Sequence, residues 1–285
     1  MESSSKSPRV LCAVAVLTGA FAVLTSCGGN QGENEEKTQV SGHQEMILKL
    51  AAIAADSQNA FFGNASINRT RAQLLGVPPG SPQELMLRFD LGVDELRRGG
   101  TESAIEQLKQ CYDLIPKVSG SIQPKARVEV RKTATFLLAV AYLRLGENEN
   151  CVNCHTSESC IFPLKGGGIH EKREGSQKAI PYLEEVLALA PDDAAARWLL
   201  NLAHMTLGSY PKGVPEKYLM KPELFESDEE FLRFTDIAKR VGLDTRSLCG
   251  GAIADDFDGD GLLDIVASNW DPRGQLKYFI NTGKG

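Results

Sequence analysis

A mainly α chain of paired helices that closes in a short β-rich segment is the fold the sequence predicts, on three observations. Between Pro82 and Tyr210 the apolar residues recur at helical spacing, and three stretches superpose with a period of about 34 residues. After Leu263 the pattern changes to Asp264-Ile265-Val266-Ala267-Ser268, short and rich in β-formers. Just before it stands Asp256-Phe257-Asp258-Gly259-Asp260-Gly261-Leu262-Leu263-Asp264, with a carboxylate at every second position around a glycine. Composition agrees with a globular chain, at 42% hydrophobic and 24% charged residues over 285 positions.

The amino terminus reads as a processing segment. Lys6 and Arg9 precede an apolar stretch from Val10 to Leu24, too short for a spanning helix, which needs about 20 such residues. It ends in Leu24-Thr25-Ser26-Cys27, which resembles a bacterial lipobox. The resemblance implies cleavage before Cys27, diacylglycerol on its sulfur, and a protein lipid-anchored on the outer side of a membrane. In a Gram-negative cell, Gly28 rather than Asp after the cysteine would favour the outer membrane over the periplasmic face of the inner one. A plain secretory signal is the alternative. The full chain carries a net charge of −6, and loss of residues 1–26 removes Glu2, Lys6 and Arg9, a net +1, leaving −7. No basic stripe offsets that balance, so nucleic acid is not an expected partner. Gly28 to about Val40, rich in Gly, Asn, Gln and Glu, forms a tether, with residues 27–80 as tether and lead-in.

Residues 81–210 hold the helical repeats. The first pairs Leu91-Gly92 in one helix with Ala104, Leu108, Cys111 and Pro116 in the next. A second starts near Lys132 with Ala139, Tyr142 and Leu145-Gly146, and its partner helix carries Ala179, Leu183, Val186 and Pro191. Ala179 stands where residue 151 would in an uninterrupted repeat, so 28 residues are inserted. A third first helix runs from Ala194 to Gly208, with Leu200, Asn201, His204 and Leu207-Gly208 in register with the second. These stretches resemble tetratricopeptide repeats, whose helix pairs bury their apolar faces only by stacking. Trp198 is expected to pack on the preceding repeat, and His204 and Met205 to be core or groove residues.

The insertion, at about 147–175, contains Cys151-Val152-Asn153-Cys154-His155, then Cys160 and His170. Cys-x-x-Cys-His is the attachment sequence of c-type haem, with Cys151 and Cys154 as thioether sites and His155 as iron ligand. A segment rich in Gly, Ser and Glu offers little apolar cover for a haem, and a disulfide joining Cys151 or Cys154 to Cys160 suits an oxidising compartment. Zinc is a third reading. Of seven cysteines, five remain after Cys12 is cleaved away and Cys27 is acylated, an odd number, and Cys111 best fits a buried free thiol.

The acidic run reads as a calcium loop joining two strands. Asp256, Asp258, Asp260 and Asp264 with the carbonyl of Leu262 would supply most of the roughly 6–8 oxygens that Ca²⁺ takes. An EF-hand is excluded, because its twelfth position requires a bidentate Glu and here holds Ala267.

Glu149-Asn150-Cys151, His155, Ser159-Cys160-Ile161-Phe162-Pro163, Gly168-Ile169-His170, Gly175-Ser176 and Arg197-Trp198-Leu199-Leu200-Asn201 resemble the segment between helical repeats and propeller in bacterial ASPIC/UnbV-type proteins. These are exported proteins similar to cartilage acidic protein, with FG-GAP or VCBS repeats. Phe234-Thr235-Asp236-Ile237-Ala238, Gly250-Gly251-Ala252 and Phe279-Ile280-Asn281-Thr282-Gly283 extend the likeness to the end. The resemblance implies tetratricopeptide-like hairpins, a linker at 211–247, and at 248–285 the first calcium-binding blade of an incomplete FG-GAP β-propeller. Because a propeller takes typically 4–8 blades, the chain is expected to be the amino-terminal part of a longer protein. The expected function is that of a membrane-tethered, non-enzymatic binding or scaffold protein whose helical repeats take a protein or peptide partner. An electron-transfer lipoprotein carrying one haem at Cys151, Cys154 and His155 is the alternative. No Ser/His/Asp set or phosphate-binding glycine loop points to an enzyme.

Overall fold

The computed structural model describes residues 41–56, 63–152, 156, 158–227, 229, 235–245, 250–271 and 274–284. The signal segment, Cys27, Cys154, His155 and Cys249 lie outside them. The described residues are mainly helical and end in a small antiparallel sheet.

Two helices occupy the lead-in segment, where the sequence predicts little more than a tether. α1 (Gly42–Ala55) starts at a capping box in which the Gln44 N–H donates to Ser41 Oγ at 3.2 Å and the Ser41 N–H donates to Gln44 Oε1 at 3.2 Å. α2 (Ala65–Leu74) lies on α3 (Pro82–Arg97) through an Arg71–Glu95 ion pair and a 2.6 Å bond from the Ser66 hydroxyl to Asp94. Neither helix carries a strong apolar stripe, so hydrophobic periodicity gives no sign of them.

α3 begins at Ser81, whose side chain accepts from the Glu84 N–H, with Pro82 in the first turn. It turns back at Gly99, whose φ of +81° suits glycine, into α4 (Thr101–Val118). The first hairpin packs small against large: a Cβ on Gly92 would stand 2.7 Å from Leu108 Cγ. Leu85, Leu91, Leu108, Cys111 and Ile115 of these two helices are buried.

α5 (Pro124–Asn150) starts eight residues before the repeat pattern does, because its first turns cover Cys111, Leu114, Ile115 and Val118 of α4 through Ala134 and Val130. α6 (Glu174–Leu189) returns along α5, so the predicted pairing of 139–146 with 179–186 is observed across the insertion. α7 (Ala194–Thr206), capped by Asp193, packs on α6. The core between them holds Leu138, Tyr142, Leu183, Val186 and Leu200.

A third second-helix does not form. Pro211, Pro215 and Pro222 each lack a donor, and residues 207–225 instead run over α7 as turns and short 3₁₀ pieces. Asn201, fully buried, holds them: its amide donates to the Tyr218 carbonyl at 2.9 Å and its oxygen accepts from the Met220 N–H at 2.9 Å. Those two bonds answer for a buried side chain that would otherwise be costly.

The sheet has the order β1 (Ala252–Asp255), β2 (Asp264–Ala267), β3 (Lys277–Phe279), all antiparallel, with Asp255 opposite Asp264 at the mouth of the acidic loop. Arg98, which caps α3, reaches Asp271 beyond β2 at 3.3 Å. Among the described residues no helix is long and apolar enough to cross a membrane.

Candidate functional site

The acidic loop joins β1 to β2, as its sequence predicts. Its shape is set by its own carboxylates. Asp256 Oδ1 accepts from the N–H groups of Gly259 at 2.8 Å and Asp260 at 3.1 Å, and its Oδ2 accepts from Gly261 at 2.9 Å. Asp260 accepts from the Leu262 N–H at 2.8 Å. Gly259 and Gly261, at φ +80° and +86°, take the left-handed conformations this winding needs. Asp256, Asp258 and Asp260 thereby bring oxygens within 4.8 Å of one another, the one such cluster of three among the described residues. Removal from water and the carboxylates of Asp260, Asp264 and Asp256 push the Asp258 carboxyl up, as expected where like charges converge. Three converging oxygen donors fit a hard cation.

Asp264 is placed differently from the other three. It is buried, accepting from the Asn281 N–H at 2.7 Å and the Tyr278 hydroxyl at 2.7 Å, and these bonds hold its carboxyl below the usual range. The Tyr278 phenol is in turn pushed up to about 12. Asp264 therefore ties the loop to β3; it stands outside the set of three whose oxygens lie within 4.8 Å of one another, yet close enough for its charge to act on Asp258. Nothing in its spacing distinguishes it from the other three, since the bonds come from residues 14 and 17 positions later.

The second place where chemistry-bearing groups converge is the insertion. Residues 158–173 lie against α5 and α7 and border with them an open cavity of about 380 Å³. Its apolar walls come from Val140 and Leu143 on α5, Leu199 and Leu202 on α7, and Phe162 and Leu164 of the insertion. The insertion itself contributes little apolar cover, as its composition predicts; most of the cover is supplied by the two helices beneath it. Trp198 packs edge-on to Phe162, 5.0 Å between ring centres, and near Phe225, so the insertion and the tail contribute to its cover.

Cys151, Cys160 and His170 line this cavity. Cys151 Sγ lies 3.5 Å from His170 Nε2, while the His170 backbone N–H donates to the Thr206 carbonyl at 2.8 Å and fixes the ring over α5. His170 Nδ1 is buried without a partner. Burial pushes the His170 imidazole down and the Cys151 thiol up, the latter helped by Cys160 and Glu147, so both groups are neutral near pH 7. Cys151 and Cys160 line the same cavity without being joined to each other, and Cys160 sits at φ +63°. Cys154 and His155, needed for the haem reading, are outside the described residues.

Cys111 is a buried free thiol with its pKa pushed up to about 12 by burial, inert in the first hairpin. His204 is buried with Nδ1 2.8 Å from Ser209 Oγ, and Met205 is fully buried, both within α7's packing. A residue set that sequence reasoning missed is Tyr112, Arg131 and Glu185, one from each of α4, α5 and α6. Arg131 donates to Glu185 at 2.6 Å and to the Tyr112 hydroxyl at 2.8 Å, and that hydroxyl donates to Glu185 at 2.7 Å.

No protein-family model matches the chain, and no curated protein and no solved structure matches it either.

Proposed function

We propose that this chain is a membrane-tethered, extracytoplasmic binding protein of the ASPIC/UnbV type, in which tetratricopeptide-like hairpins take a protein or peptide partner and a calcium ion stiffens an FG-GAP unit beside them. The observation that carries the reading is the convergence of Asp256, Asp258 and Asp260 in a loop already wound by backbone N–H bonds and set between two paired strands. Such winding lowers the ordering cost of ligation, because the three carboxylates are placed before the cation arrives. The stacked pairs α3–α4 and α5–α6, followed by α7, support the repeat reading through the contact of Gly92 with the Leu108 side chain and of Gly175 with the α5 backbone. Lipidation at Cys27 would supply the tether.

Calcium titration of the full chain by isothermal calorimetry tests the site. One ion per chain is expected, lost in the double variant Asp258→Asn, Asp260→Asn. Heat that is absent in the parent chain, or unchanged in the variant, contradicts the reading.

A further inference from the structure

We infer that Cys151 and His170 form a site for a monovalent soft metal ion, Cu(I), on the floor of the cavity between α5, α7 and the insertion. The donor pair is the first ground. Cys151 Sγ and His170 Nε2 stand 3.5 Å apart. Bonds of the length such donors make to zinc, about 2.3 Å to sulfur and 2.0 Å to nitrogen, close on that separation at an angle of about 110°, which suits a centre that takes a third donor. Thiolate and imidazole are the soft and borderline donors that select copper over calcium or magnesium.

The surroundings choose the charge. Around the pair the walls are Val140, Leu143, Phe162, Leu164, Leu199 and Leu202, and the nearest charged side chains, Arg144 and Glu147, are paired with each other. One thiolate, one neutral imidazole and Cu(I) sum to zero, so the loaded pair brings no net charge among these apolar groups. Binding needs no oxidant: the Cu–S bond forms as the thiol proton leaves to solvent, and His170 ligates through the lone pair on Nε2. Cys160, exposed at the rim of the same cavity, is a second thiol from which the ion can be passed in.

The site does not rest on the calcium reading, and its test separates the two. The full chain, reduced and free of oxygen, is titrated with Cu(I) against a chromophoric Cu(I) chelator, in parallel with Cys151→Ser and His170→Gln and with Asp258→Asn as a control. One Cu(I) per chain is expected, with affinity falling at least tenfold in either cavity variant and unchanged in Asp258→Asn. X-ray absorption on the copper-loaded parent chain, which needs no variant to fold, should show both sulfur and imidazole nitrogen bonded to the metal. Failure to retain Cu(I) against the chelator, a shell of sulfur alone, or equal affinity in the folded cavity variants would overturn the assignment.

Discussion

Gly175 on α6 meets the backbone of α5 directly: a Cβ placed on it would stand 2.5 Å from the Tyr142 carbonyl oxygen and 2.6 Å from the Gly146 nitrogen. The neighbours are backbone atoms within a helix, so they cannot swing aside as a side chain would. Gly175→Ala is therefore expected to push α6 off α5 and to destabilise the protein by about 1–3 kcal/mol, read as a lowered midpoint in denaturant. A midpoint equal to that of the parent chain would show that the second hairpin is not closed at this contact.

The Tyr112, Arg131 and Glu185 triangle ties three helices that are distant in sequence. Burial raises the Glu185 carboxyl, but the bonds from Arg131 and Tyr112 more than offset it and leave the group below the ordinary carboxylate range. A double-mutant cycle of Arg131→Met and Glu185→Gln should give a coupling of about 1 kcal/mol, modest because the pair is partly exposed. The sign follows from the lowered pKa: this stability is present at neutral pH and is lost as pH falls through the folded-state value. A coupling of zero would make the triangle a surface contact.

Much of the helical stack is legible in the sequence because its signal is local and repeated. Gly92 against Leu108 and Ala139, Tyr142 and Gly146 against Ala179 and Leu183 are small and large residues at helical spacing, and the 28-residue offset leaves that register readable. The features that escape depend on partners far along the chain. α1 and α2 lack a marked apolar stripe, and α2 is held by polar contacts to Asp94 and Glu95. The first turns of α5 precede any repeat position and form because they cover α4. At the acidic loop the spacing of the first three aspartates is readable, but the destination of Asp264 is fixed by Tyr278 and Asn281. The cavity beside Cys151 is hidden for the same reason, since its walls come from three separate segments.

Two buried histidines give the protein an acid limit. Burial lowers the pKa of His204, with Glu184 partly opposing it, and burial likewise lowers that of His170. For a group depressed on folding, the unfolded chain binds the proton first, so stability is complete above about pH 6.5 and declines as pH falls below it. His204→Gln should reduce that decline by up to about 1.4 kcal/mol per pH unit, one proton's share. Urea unfolding at pH 7.5 and 5.5 for both proteins measures it, and an identical pH dependence would contradict the assignment.

The lipid anchor proposed at Cys27 predicts that cells expressing the full chain incorporate labelled palmitate into it and that Cys27→Ala does not. The variant should leave the membrane fraction. Equal labelling of the two proteins would rule out the lipid anchor.

The central claim, a cation held by Asp256, Asp258 and Asp260, is tested most directly by amide hydrogen exchange on the full chain with calcium and with chelator. Calcium is expected to slow exchange in residues 252–267, covering β1, the loop and β2, while leaving α3 to α6 unchanged. Identical exchange of those residues in calcium and in chelator would contradict it.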